Sequence, residues 1–169
     1  MDMKRALLLI AASAMVYALV AWWAFTRLPA EGVAMHVNTA GEVDKYTSRD
    51  GAIKYLMGLG VFLLVLAVAV VCSCGWIPVR FLNIPHKDYW TTAERAPIVR
   101  QMMVWDMAVI LSMPLLALSF IPVNMALMAE NPAGVSALWI IGPIGVWLVA
   151  MACYVIWMVT RRYRPEVPG

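Results

Sequence analysis

The chain alternates long apolar stretches with short charged ones. Windows 6–26, 55–79, 107–129 and 131–160 contain no Asp, Glu, Lys or Arg. A helix crosses a hydrocarbon core with about 20 mostly apolar residues. No strand-like alternation runs through these windows, and a helix satisfies its own backbone in lipid. The pattern predicts an all-α integral membrane protein, a single four-helix transmembrane bundle over residues 1–169. Its spans lie near 6–26, 55–79, 104–128 and 136–160. An ordered outer loop, 27–54, joins the first two spans, and an inner loop, 80–103, joins the middle two.

Composition agrees. The chain is 63% hydrophobic and 14% charged, whereas soluble domains are roughly a quarter charged. Such a chain is neither disordered, nor a direct partner of nucleic acid, nor an ordinary cytosolic enzyme. The first window follows Lys4-Arg5, as the core of a signal peptide would. Its apolar run continues through Trp22-Trp23-Ala24-Phe25, past the ~7–15 residues of a cleavable segment, and meets no small-residue cleavage site. It is expected to be a retained span.

The net charge of +3 matters through its placement. With the N-terminus inside, the inner side holds Lys4, Arg5, Arg80, Lys87, Arg95, Arg100, Arg161, Arg162 and Arg164. The outer side holds only Arg27, Lys45, Arg49 and Lys54. The positive-inside rule therefore puts both termini in the cytoplasm.

Within the spans, Cys72, Cys74 and Cys153 lack metal-ligand spacing and read as small buried hydrophobes. Pro114, Pro122 and Pro143 remove helix hydrogen bonds to Ile110, Leu118 and Trp139. Gly142 and Gly145 offer close approach to a neighbouring helix. Asp106, at the inner end of the third span, reads either as a functional carboxylate or as a rim group paired with Arg100.

Chemistry is confined to the two long connections. In the outer one, Val33 to Asn38 reads as extended, with His36 and Asn38 on one face and Met35 and Val37 on the other. Thr39-Ala40-Gly41-Glu42 reads as a turn, followed by a second extended piece with Asp44 and Tyr46. His36, Asn38, Gly41, Glu42, Asp44 and Tyr46 are the candidate ligand-binding residues, and His36 is the sole candidate for a metal. In the inner loop, Asn83, Pro85, Lys87, Asp88, Tyr89, Trp90, Glu94 and Arg95 form a candidate partner or interface block. Thr91 and Glu94 have capping-box spacing, which predicts a short helix there. Pro97 either ends that helix or opens the third span. Tyr89 and Trp90 suit the membrane interface.

The stretch from Leu28-Pro29 through His36-Val37-Asn38-Thr39-Ala40-Gly41-Glu42-Val43-Asp44-Lys45-Tyr46 resembles the N-terminal membrane domain of the SdpI-like immunity family, with the pattern L-P…H-x-N-x-x-G-x-x-D-x-Y. Asn83-Ile84-Pro85-His86-Lys87-Asp88-Tyr89-Trp90 with Glu94-Arg95 is similar to a block after the second span of short relatives. The resemblance implies a bacterial cytoplasmic membrane, a peptide toxin bound outside, and a cytoplasmic regulator held inside.

Three functions fit the residues. The first is an immunity- or signalling-like protein that binds a peptide, lipid headgroup or ion at its outer loop. The second is an accessory subunit of a larger membrane complex. The third is a membrane-embedded metal-dependent hydrolase using His36, for which one histidine and two acids are a thin ligand set. No catalytic residue or cofactor is predicted, and the bilayer is the one partner composition demands. Reporter fusions at Met1 and Gly169 should both report the cytoplasm; an external signal from either would reject this topology.

Overall fold

The structure, a computed structural model, describes residues 3–38, 43–131 and 136–165. Each apolar window forms a helix. In order, the elements are α1 (Met3–Phe25), β1 (Val33–Val37), β2 (Val43–Thr47), α2 (Arg49–Trp76), α3 (Lys87–Trp90), α4 (Ala96–Leu118), α5 (Phe120–Glu130) and α6 (Ala137–Trp157). A 3₁₀ turn, Val79–Phe81, follows α2, and a π-helical turn, Met158–Arg162, ends α6. Met3–Phe25, Arg49–Trp76, Ala96–Glu130 and Ile141–Arg162 are long and apolar enough to cross a membrane. The chain is a multi-pass membrane protein with an all-α bundle and a small two-stranded sheet between its first two spans.

Helix boundaries differ from those read off charge alone. α2 begins at Arg49 because Ser48, in extended conformation, accepts the Gly51 N–H on its hydroxyl at 3.2 Å, and Asp50 suits the positive end of the helix. No helix starts at the Thr91–Glu94 spacing. The short helix, α3, lies just before it, and Thr91–Arg95 is a turn in which the Thr92 carbonyl accepts from Arg95 and Ala96 at 3.1 and 2.9 Å. Pro97 instead opens α4, in whose first turn its missing N–H costs nothing. The third span breaks at Ser119, where Pro122 has no N–H for the Leu118 carbonyl. Pro114 and Pro143 stay inside α4 and α6.

Packing follows the logic of lipid as solvent, in which small residues let helices approach and large ones face outward. α1 lies against α2 and α4 along Ala6, Ile10, Ser13, Tyr17 and Ala21, a stripe at helical spacing. Ala52, Ala67 and Ala108 are equally buried opposite it, while Leu8, Leu19, Trp22, Phe62 and Val65 are exposed. The Tyr17 hydroxyl donates to the Leu56 carbonyl at 2.6 Å. Its ring lies so close to Gly60 that a side chain there would collide with Tyr17 Cε1.

α6 stands at the edge of the bundle, with no buried residue in its membrane window. Gly142 and Gly145 do not seat a neighbour as expected: nothing described lies within 4 Å of a Cβ added at either.

Gly60→Ala is expected to lower stability by about 1–3 kcal/mol through overpacking against Tyr17. Tyr17→Phe should cost about 0.5–1.5 kcal/mol for the lost hydrogen bond. Thermal unfolding in detergent measures both, and an unchanged Gly60→Ala variant would contradict the packing.

Candidate functional site

The hairpin is built from its anchors upward. Gly32 adopts φ +76°, a turn conformation that needs no Cβ. The Arg49 guanidinium donates to the Leu28 carbonyl, and the Arg49 N–H to the Ala30 carbonyl at 3.0 Å. These bonds tie the loop to the start of α2. β1 then pairs antiparallel with β2, with Val33 opposite Thr47, Ala34 opposite Tyr46, His36 opposite Lys45, and Val37 opposite Val43. The register is irregular on both sides of His36, and such bulges re-aim a side chain. Val33 is buried and Met35 packs on the same core as Leu118 and Met125.

His36 Nδ1 lies 2.6 Å from Asp44 Oδ1, and both side chains are exposed. Asn38 follows β1 and is half-buried, while Tyr46 is exposed. Gly41 and Glu42, with the turn expected at 39–42, lie outside the described residues. Among the described residues no three His, Cys, Asp or Glu side chains converge; a catalytic zinc site uses three protein ligands.

Beneath β1 lies a cavity of ≈ 430 Å³. Ala34, Met35 and His36 roof it, Leu63 of α2 and Pro114, Ala117 and Leu118 of α4 form its inner wall, α5 contributes Phe120, Ile121, Asn124, Met125 and Met128, and α6 contributes Ile144 and Trp147. Among the described residues no Asp, Glu, Lys or Arg lines it. Trp147 Nε1 is buried without a hydrogen-bond partner. Neither Asn124 nor Trp147 was among the site residues expected from the sequence. The signal was there in a carboxamide inside a charge-free window and a tryptophan placed well away from a span's rim, where the interface preference does not explain it.

A second polar cluster lies at the opposite end of the bundle. Asp106 is fully buried and accepts from the Tyr154 hydroxyl at 2.8 Å, the Tyr163 hydroxyl at 2.9 Å and Arg162 Nε at 2.8 Å. It is not the rim partner of Arg100, whose guanidinium reaches the Ile77 carbonyl at 3.4 Å. Arg162 wins because the π-helical turn brings it back over α4, and a buried carboxylate needs several donors. Burial, then the adjacent Asp106 carboxylate, raises the Tyr163 pKa far above its ordinary 10.0.

The connection from α2 to α4 closes over this cluster. Trp90 is buried and donates through Nε1 to the Tyr163 carbonyl at 3.0 Å, so it braces the tail and does not anchor at the interface as expected. Tyr89 meets Trp90 edge-on at 4.9 Å, and Arg95 stacks over Tyr89 at 4.1 Å. Asn83, Lys87, Asp88 and Glu94 are exposed, and Pro85 is half-buried. His86 enters α3 at φ 53°, a left-handed conformation uncommon outside glycine.

No family model matches the chain, and neither a curated protein nor a solved structure does.

Asp106→Ala is expected to destabilise the protein by about 3 kcal/mol, the lower end for breaking a buried pair, because Arg162 retains some solvent contact. Because the Tyr163 pKa is raised on folding, its contribution is fully present below pH 10.0 and is lost as pH rises beyond it. Thermal stability followed by tryptophan fluorescence should therefore fall above that pH in the wild type, with a smaller fall in Tyr163→Phe.

Proposed function

We propose that this protein binds a ligand at its hairpin-roofed cavity and signals or neutralises it, without turning a substrate over. The observation that carries the reading is the union of three features: a cavity within the membrane-spanning bundle, a roof strand packed on its wall, and the pair that His36 of that strand forms with Asp44 of β2. An imidazole and a carboxylate offer complementary donors and acceptors. A hydrolytic metal would need a further protein ligand beside this pair. The likeness of the His36–Tyr46 segment to SdpI-like immunity proteins supports the same class.

The distribution of Lys and Arg supports an orientation with the hairpin outside and both termini in the cytoplasm, in a bacterial inner membrane. In that orientation Asn83, Lys87, Asp88 and Glu94 are offered to a cytoplasmic regulator. The Asp106 cluster then stands behind them as the rigid base of that surface.

Native mass spectrometry of protein extracted from membranes tests the reading. Wild type should carry a bound mass that His36→Ala and Asp44→Ala both lose, with expression and helix content unchanged. Equal bound mass in all three would remove the hairpin from the site. Metal-dependent hydrolysis abolished by His36→Ala would replace binding with catalysis.

A further inference from the structure

The chain leaving α2 forms a second surface, at the end of the bundle away from the hairpin. The charge-free part of α2, 55–76, is about 33 Å long, just over the ~30 Å of a hydrocarbon core. The segment that follows therefore turns at the level of the lipid headgroups. There Trp76 is 84% and Phe81 68% exposed, with Ile77 and Pro78 exposed between them. Val79, Leu82 and Ile84 of the same segment are buried. The turn thus has a packed side and an apolar outward side, with two aromatics at the depth where the membrane interface accepts them.

Cations surround this apolar foot. The Arg80 guanidinium lies over the Phe81 ring at 4.9 Å, and Arg100 of α4 reaches the Ile77 carbonyl at 3.4 Å. Met3 lies against α2, its Cε 2.9 Å from where a Cβ on Gly75 would stand. That contact brings Arg5, exposed at the start of α1, to the same corner. Among the described residues no carboxylate pairs with Arg5, Arg80 or Arg100. The hairpin end is built differently: Arg27, over Trp23 at 4.0 Å, is answered by Glu130 at 3.4 Å. Both ends set an arginine on an aromatic ring, and only the corner beyond α2 leaves the charge without a counter-charge.

We infer that this corner docks the headgroup of an anionic phospholipid, with Trp76 and Phe81 seated at the headgroup–acyl boundary and Arg80, supported by Arg5 and Arg100, holding the phosphate. A guanidinium can donate to two phosphate oxygens at once, and Phe81 holds that of Arg80 at the depth of the aromatics. A phosphatidylcholine headgroup brings its own ammonium into this cluster, whereas an anionic one leaves net negative charge to be answered. A soluble phosphate would satisfy the arginines and leave the apolar outward side uncovered, so the bilayer lipid is the better match. The site is separate from the hairpin and its cavity, and goes beyond the ligand-binding reading above.

Brominated lipids quench tryptophan fluorescence on contact, so the full chain in phosphatidylcholine nanodiscs, with a minor fraction of brominated phosphatidylglycerol or brominated phosphatidylcholine, tests the site. The Trp76 signal is the difference between wild type and Trp76→Phe. It should report phosphatidylglycerol binding about 3- to 10-fold more tightly than phosphatidylcholine. Arg80→Gln, at an exposed position, should lower that preference about 3- to 5-fold, Arg80→Lys should keep most of it, and Arg5→Gln with Arg80→Gln should remove it. Trp22, exposed at the hairpin end and read in the same way from Trp22→Phe, should show no preference. Equal quenching of Trp76 by the two lipids overturns the inference. So does a preference that is equal at Trp22, or that survives in the double variant, because the field of the whole protein and not this corner would then gather the lipid. A preference abolished by glycerol 1-phosphate at constant ionic strength assigns the corner to a soluble phosphate and also overturns it.

Discussion

A carboxylate sealed inside a membrane protein is tolerable only if donors surround it, and Asp106 organises one end of this bundle on that condition. Its donors come from Tyr154 on α6 and from Arg162 and Tyr163 just beyond it. These bonds hold the last span to α4, since no residue in its membrane window is fully buried. The same cluster fixes the tail, because the Tyr163 carbonyl is then in place to receive Trp90. Val79, Leu82, Ile84 and Val99 pack around that contact, so the connection between α2 and α4 folds over the cluster. Removing the carboxylate would leave a guanidinium without its counter-charge and a helix without its tether.

A helix tethered at one end leaves space at the other. The first three spans close on one another through alanines, Gly60 and the Tyr17–Leu56 hydrogen bond. α6 does not join that packing, and its glycines meet no neighbour. The proline inside α4 and the break at Ser119 add irregularity where α4, α5 and α6 adjoin. The hairpin rests on this wedge through Val33 and Met35 and turns it into a roofed cavity. The polar latch and the binding space are thus two consequences of how one edge helix is held.

Much of this was legible in the amino-acid order. Four spans follow from the charge-free windows, because lipid admits only self-satisfied backbone. The extended pieces around His36 and Asp44 follow from turn residues between them, and two limbs of a hairpin bring those side chains together. The Asp106 partner was misread because Arg100 is close in sequence, while Arg162 is brought near only by the closing of α6 onto α4. Trp90 was misread for a similar reason. An aromatic beside charged residues resembles an interfacial anchor until the chain folds back over it.

The sequence by itself determined the number of spans, the solvent they face and the hairpin that joins the first two, since each depends on local hydrophobicity, backbone satisfaction or turn chemistry. Only the tertiary structure decided which cation answers Asp106, which helix stands at the edge, and that Trp147 and Asn124 line the same cavity as His36. Those outcomes depend on the packing of residues far apart in the chain. In a membrane protein apolar residues cover both the core and the lipid-facing surface, so hydrophobic pattern alone does not say which side of a helix turns inward.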